Sequence, residues 1–498
     1  MTRIQQLSLA GLLAFGACQT GPPAADFSQA DAKIDSLVAS LEALPSLTVA
    51  VVQHGRVVWE AGYGVANRAT GLAATPETSY YIASATKPYV ATLAALLDAE
   101  GVIGLEDPIT DYEPYASLDS AHRYAGITVQ QLLTHHAPIT NGPLTFREAY
   151  SGDKSAEDII YALNHGVEDR DPGYRYDNMG YNMYTHIVEA VLQKPWQDAM
   201  QERLFGPLGL KGTTAYASVP AQRGTPESVP YLPIPCSDPQ PTPLPKRDNT
   251  MQSAGGMMTT AHDMATWLAA NLQPGKVLSE QVLATIHQAY APADSSTNHL
   301  ITADQIALGW RAGTFEGHPV RFHSGGFGGS FAHMSFMPDQ DLGIVVLTNE
   351  LMLGMGVGYL LEEHIYRHLL GQEAFGATYD SAVAAVQNRA AEMCTSLDQQ
   401  YASLADRPFQ LSQPLENYTG SFHNPLYGTL HVSVADTTLR VKLGNMQALG
   451  TGFTREESIR LEMVPMSGSV AQFQLDENGQ ATAVRAIGET FERVDEIP

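Results

Sequence analysis

The tetrapeptide Ser84-Ala85-Thr86-Lys87 constrains this chain more than any other stretch. It follows a short apolar run, Tyr80-Tyr81-Ile82-Ala83, and leads into the helical pattern of Val90, Leu93, Leu96 and Leu97. Ser84 is thereby placed at or near a helix N-terminus, with Lys87 projecting from the same face one turn on. A serine hydroxyl is a weak nucleophile until a base sits beside it, and the helix dipole favours its anionic form. Pro88 fits, because first-turn nitrogens have no intrahelical acceptor to lose. The same spacing recurs at Ser151-Gly152-Asp153-Lys154, where Gly-Asp reads as a turn and Lys154 to Glu157 as a helix start on a polar surface. Context therefore selects Ser84.

Two further constellations carry chemistry. Pro172-Gly173-Tyr174-Arg175-Tyr176-Asp177-Asn178 is a turn-rich segment before a helix through Ile187, Val188, Val191 and Leu192. Two apart, Tyr176 and Asn178 can face one space. Tyr176 is a candidate proton carrier if a nearby cation lowers its pKa, and Asn178 offers a donor and an acceptor to a substrate carbonyl. The plainer reading is a packed tyrosine and a capping asparagine. The third constellation, His323-Ser324-Gly325-Gly326, closes a strand whose glycines let a substrate backbone approach and whose free N–H can hold an oxyanion. No Gly-Lys-Ser/Thr opens a helix after it, so it is not a phosphate loop. His364 and His368, and the pair His135-His136, lack a third ligand and read as surface or packing histidines. No metal or cofactor is expected.

The 498 residues exceed one ordinary core, so a large domain plus an appendage is expected. With 28 Lys and Arg against 53 Asp and Glu, the formal charge of -25 argues against nucleic acid and anionic membrane surfaces as partners. Residues 1–18 pair a small basic start with the apolar run Leu7 to Ala17, too short to span a bilayer and fitting an export signal. Its end, Ala14-Phe15-Gly16-Ala17-Cys18, resembles a bacterial lipoprotein signal in which Cys18 becomes the lipidated first residue. The expected location is periplasmic and membrane-anchored, with residues 19–30 as a tether. Cys236 and Cys394 are then left; export permits a disulfide between them, and nothing in the sequence requires one.

Along the chain, a first amphipathic helix spans Ile34 to Leu44, and Leu47 to Gln53 with Val57 to Trp59 flank a hairpin turn. A helix-and-loop insertion runs to about residue 215, and the proline-dense stretch from Pro220 to Pro245 reads as an irregular loop over a cleft. Helix Ala261 to Leu272 follows a threonine cap. Strands are expected over Ala307 to Thr314, Val320 to Ser324, Ser330 to Met337 and Leu342 to Asn349, then a helix from Val357 to Leu370.

Taken in order, Ser84-Ala85-Thr86-Lys87, Tyr176-Asp177-Asn178 and His323-Ser324-Gly325 resemble the motifs of the class C β-lactamase and penicillin-binding-protein-like serine hydrolases. That family includes D-aminopeptidases, carboxypeptidases and esterases. The resemblance covers about residues 30 to 370. It implies an α+β fold, an antiparallel sheet flanked by helices with a helical insertion and the cleft between them. Ser84 would attack, Lys87 and Tyr176 would move protons, Asn178, His323 and Gly325 would contact substrate, and the N–H groups of Ser84 and Gly326 would hold the oxyanion. Three departures stand out: His323 where β-lactamases carry lysine, Asp177 where small residues are commoner, and His136-Ala137-Pro138 where a Thr-Ser-Gly turn is usual.

The expected units are therefore a signal over 1–18, a tether over 19–30, a hydrolase domain over 31–370, a helical connector over 371–410 with few core signals, and a domain over 411–498. The last alternates short strands with turns and resembles a lipocalin-like β-barrel. The expected activity is acyl-enzyme hydrolysis of small esters, amides or D-residue peptides, with weak or no β-lactamase activity. The competing class is a cell-wall-fragment sensor with a catalytically weak cleft. If His323 titrates near its ordinary value of about 6.5, its pull on a carboxylate should fade as pH rises.

Overall fold

In the computed structural model, residues 25–152, 155–298, 301–405 and 407–495 are described; the signal region and Cys18 lie outside them. The core is a nine-stranded antiparallel sheet: β1 (Ser46–Gln53), β2 (Arg56–Asn67), β3 (Leu72–Ala73), β4 (Ala291–Asn298), β5 (Ile301–Ile306), β6 (Arg311–Phe315), β7 (His318–Phe327), β8 (Ser330–Met337) and β9 (Leu342–Thr348). Their spatial order is β4-β5-β6-β7-β8-β9-β1-β2-β3. The chain thus starts the sheet, leaves to build the helical region, and returns to complete it by pairing β9 with β1 (Val49 opposite Val346).

β8 and β9 are buried along their whole length, as is nearly all of β1. Because successive side chains point to opposite faces, these strands feed two cores. Ala50, Val52, Met334, Phe336, Val345 and Leu347 face one, with α2 (Lys87–Ala99) and the insertion. Leu47, Val49, Val51, Ile344 and Val346 face the other, with α1 (Ser28–Ala39) and two C-terminal helices. In the first core Trp267 of α4 (Ala261–Leu272) stacks on Tyr89 with ring centroids 3.8 Å apart, pinning α2 beneath the sheet.

Several boundaries differ from the sequence reading. The tether ends earlier, because Phe27 and Ala30 are already buried and α1 begins at Ser28. Leu41 and Leu44 belong to the loop after that helix, still buried. The strand expected over Ala307 to Thr314 begins only at Arg311, and β4 and β5, with polar residues through both stretches of sequence, gave no strand signal. The insertion is not wholly helix and loop, since Ile139–Thr140 pairs with Glu168–Asp169. The proline-dense segment packs at the end of the cleft strand: Thr242 and Leu244, with Lys246 just beyond it, approach Gly328 in the turn after β7.

The expected connector is helical, and it packs more than its few core signals suggested. After α5, a helix over Met352–Leu369, comes a 29-residue helix over Ala377–Ala405 that buries Tyr379, Val386, Ala390 and Leu397 in the second core. Its buried positions are widely spaced and its other faces polar, which hid them in the sequence. Cys394 on this helix is bonded to Cys236 in the proline-dense segment, tying residues 158 apart.

Beyond it, nine strands from Gly420–Asn424 to Glu489–Val494 form a nearly closed barrel, around Tyr418, Phe422, Leu430, Val441, Phe473 and Phe491. The barrel packs on the hydrolase unit through a shared apolar cluster that includes Tyr81, Ala149, Met251 and Phe327. Ser151, the second serine with Ser-x-x-Lys spacing, is buried at this contact and its carbonyl accepts from the N–H of Asn445 at 2.7 Å. The helix start expected after it is present, capped by Ser155 and exposed, while the barrel covers Ser151 itself. Among the described residues no helix is long and apolar enough to cross a membrane.

Candidate active site

Ser84 lies in a single 3-10 turn, Ala83–Thr86, that runs directly into α2. Ala83 takes a positive φ of 46°, a costly conformation for a residue with a Cβ that turns the chain sharply from the strand pair at Tyr80–Tyr81 into the helix. The next turn buries Lys87 completely. Its Nζ is 3.1 Å from Ser84 Oγ, 2.8 Å from Asn178 Oδ1 and 2.7 Å from the Ala254 carbonyl oxygen. Two of these partners can only accept, so two N–H bonds are committed to them. The third direction points at the serine hydroxyl.

Burial holds the Lys87 ammonium down, to about 7, and the charge of Asp177 opposes the shift only in part. A neutral amine in this position has its lone pair toward Ser84 and can take the hydroxyl proton directly. Tyr176 behaves in the opposite way. It exposes 44% of its surface, but its hydroxyl is turned inward to hydrogen-bond Ser84, and burial there drives it well above its ordinary range. The condition for a cation-stabilised phenolate is not met: the field of Arg311 lowers the hydroxyl only in part against the desolvation. Tyr176 remains a proton donor. The ring also covers Lys87, whose Nζ lies 5.0 Å from its centroid.

Asn178 stands at the start of α3 (Met179–Leu192) without capping it through its side chain. Asp177 does that instead, accepting from the Met179 N–H at 2.9 Å and, through its other oxygen, from Thr140 Oγ1 at 2.9 Å. The departure at position 177 thus has a local structural use. With Asn178 Oδ1 engaged by Lys87, its amide nitrogen makes no hydrogen bond among the described residues and is free to donate to a substrate carbonyl.

The third constellation lies wholly within β7. Strand β6 pairs with β7 only as far as Phe322, so the edge from His323 to Phe327 has no strand partner there among the described residues. Gly325 explains why this strand carries glycine: a Cβ there would lie 2.0 Å from the Ile82 carbonyl oxygen and 2.8 Å from the Ser84 nitrogen. No side chain fits, and the strand lies directly on the nucleophile turn. Gly326, exposed beside it, leaves the open edge for a substrate.

His323 departs from its expected behaviour. It is buried, and desolvation, helped by the field of Lys87, pushes it down to about 3. Its Nδ1 donates to the Ser324 carbonyl oxygen at 2.8 Å, which leaves Nε2 as an acceptor. The imidazole is neutral throughout the useful pH range and cannot lose a charge as pH rises. The cation that sequence reasoning missed is Arg311, on β6 opposite Phe322, whose field acts on both His323 and Tyr176. Its one sequence signal was a lone basic residue after the apolar run Leu308-Gly309-Trp310.

His135, His364 and His368 pack. His135, with φ 62°, lies under Tyr176 with ring centroids 4.6 Å apart, and its Nδ1 faces the Asp177 N–H at 3.3 Å. Together with Tyr174, Tyr176, Arg311 and His323 it lines the cleft wall. His364 is buried and His368 stacks edge-on to Phe27.

Comparison with known proteins agrees with this geometry. The β-lactamase family model matches residues 34–356. Penicillin-binding protein 4 of Amycolatopsis lactamdurans is 27% identical over 341 residues, covering 66% of this chain and 86% of its own. Among solved structures, the octameric penicillin-binding protein homologue of Pyrococcus abyssi superposes with a TM-score of 0.60 at 18% identity, covering 94% of this chain and 99% of its own. The D-amino acid amidase of Ochrobactrum anthropi SV3 gives 0.52 at 23% identity, covering 64% and 91%. The chain belongs to the β-lactamase-related family and is a serine hydrolase with a C-terminal β-barrel.

Proposed function

We propose that the protein hydrolyses small esters, amides or peptides with a D-residue through an acyl-enzyme on Ser84, and that β-lactams are poor substrates. The observation that carries this reading is the buried amine of Lys87, held by two carbonyl oxygens and aimed at the Ser84 hydroxyl. Lys87 takes the proton as Ser84 Oγ bonds to the substrate carbonyl carbon. The carbonyl electrons move to oxygen, which the N–H groups of Ser84 and Gly326 receive. Collapse of this intermediate expels the leaving alcohol or amine, protonated through the Tyr176 hydroxyl. Water then repeats the sequence on the acyl-enzyme. Asn178 donates to the acyl side chain of the substrate.

The substrate range follows from charge placement. A neutral His323 supplies no cation at the position where a lysine would hold a β-lactam carboxylate. The positive charge stands on the neighbouring strand, at Arg311. A substrate carboxylate would meet that charge instead of one on His323. The amidase likeness supports D-residue amides as the first compounds to try.

Ser84→Ala should abolish fluorophosphonate labelling and lower ester turnover by at least about a thousandfold, because members of one catalytic unit fail together. Ser151→Ala should retain the label. Activity surviving in Ser84→Ala, read by mass spectrometry of the labelled peptide, would remove the assignment. Wild type that takes the label but turns over no ester or amide would favour the sensor class.

The kcat/KM for a neutral ester should climb tenfold per pH unit below about 7 and level off above it, as Lys87 loses its proton. The ratio of rates for a carboxylate-bearing ester and its neutral analogue should stay flat from about pH 5 to 9, since His323 does not titrate there. A ratio that falls with rising pH would restore a charged His323.

Export as a lipoprotein is part of the same proposal. Metabolic labelling with an alkyne fatty acid should mark the wild type and not Cys18→Ser, which should leave the membrane fraction; multiple acyl chains anchor firmly where one does not. Unlabelled wild type would refute it.

A further inference from the structure

Behind β7, away from Ser84, a cavity of about 430 Å³ opens between α5 and the long helix α6 (Ala377–Ala405). Its volume lies within the range of small-molecule sites, about 300–1,000 Å³. Met352, Met355, Met393 and Val386 line it, and Tyr359 forms a polar point in the wall. Met352 and Met355 are 37% and 44% exposed, an unusual concentration of large apolar surface in so acidic a protein. Flexible thioether side chains of this kind adapt to varied chains.

One cation belongs to this cavity. Arg389 lines it from α6, is solvent-exposed, and makes no hydrogen bond or ion pair among the described residues. With a formal charge of -25 on the whole chain, an arginine free of any carboxylate partner is a selective feature. The helix start beside the cavity offers no competing anion site. Glu350 already occupies it, accepting from the N–H groups of Met352 at 2.8 Å and Leu353 at 2.7 Å. An apolar trough with one unpaired guanidinium matches a single-chain amphiphile with one carboxylate.

We propose that this cavity binds medium-chain carboxylates, the tail on Met352, Met355 and Met393 and the head on Arg389. The site is distinct from the Ser84 cleft and does not depend on the hydrolase reading. It nonetheless touches the catalytic strand from behind. The Tyr359 hydroxyl is 3.3 Å from Ser324 Oγ, which is 2.8 Å from His333 Nδ1, and Ser324 stands between His323 and Gly325.

Calorimetric titration of the full chain with sodium decanoate tests this, with decan-1-ol as the uncharged control. Saturable binding of one decanoate per chain is expected, with decanol about tenfold weaker. Arg389→Gln should reduce decanoate affinity to that of decanol, and Met355→Glu should abolish both; both positions are exposed, so the fold should survive. Absence of saturable binding would overturn the proposal, as would decanoate affinity unchanged in both variants. A Met355→Glu effect on oligomeric state alone, seen by light scattering, would assign the face to a second copy of the chain and equally overturn it.

Discussion

The burial of one amine organises this protein. Lys87 is fully enclosed, and its surroundings offer two neutral carbonyl oxygens in place of a contacting carboxylate. Removing an ammonium from water without a close counter-ion is costly, and the cost is relieved by giving up the proton. That requirement extends outward. The 3-10 turn sets Ser84 one turn from the amine, α3 delivers Asn178, the glycine-bearing segment around Ala254 delivers a carbonyl, and Trp267 and Tyr89 lock α2 under the sheet. The two-sided sheet makes the enclosure possible, because α2 packs on one face while α1, α5 and α6 seal the other.

β7 ties the two sides together. Its front carries His323 and Gly325 against the nucleophile turn, while its back carries Ser324 against His333 and Tyr359. His333 is fully buried and its Nε2 lies 2.9 Å from Glu362 Oε1, so a polar chain runs behind the strand into α5. At its end Phe327 stacks on Tyr150, with ring centroids 5.6 Å apart, and joins the apolar cluster shared with the barrel. The barrel thus braces the end of the strand that borders the cleft, a structural use for a domain without a catalytic constellation of its own.

What the sequence made legible was local. Ser84, Lys87, Tyr176, Asn178, His323 and Gly326 could be proposed because a helix turn, a two-residue step and a glycine-bearing strand each fix geometry over a few residues. The order of the motifs supplied the fold, and the alternating strands supplied the barrel. What stayed hidden depended on distant packing. The bond between Cys236 and Cys394 joins segments that only the folded chain brings together. The polarity of α6 concealed its buried stripe, and the barrel contact concealed Ser151. Titration was the deepest omission: the readings of His323 and Tyr176 were conditional on neighbours that the sequence does not place. Burial moves His323 down and Tyr176 up, because desolvation disfavours the charged form of each.

The neutral state of Lys87 is therefore the claim on which the mechanism stands, and it can be observed without substrate. Nitrogen-15 NMR of lysine-labelled protein, with Lys87→Arg to assign the resonance, follows the side-chain nitrogen as pH is raised. The account predicts a midpoint for Lys87 near about 7, well below the ordinary lysine value of about 10.4. A Lys87 resonance that stays in the ammonium position to above about pH 10 would contradict it, and proton transfer would then have to be assigned to Tyr176.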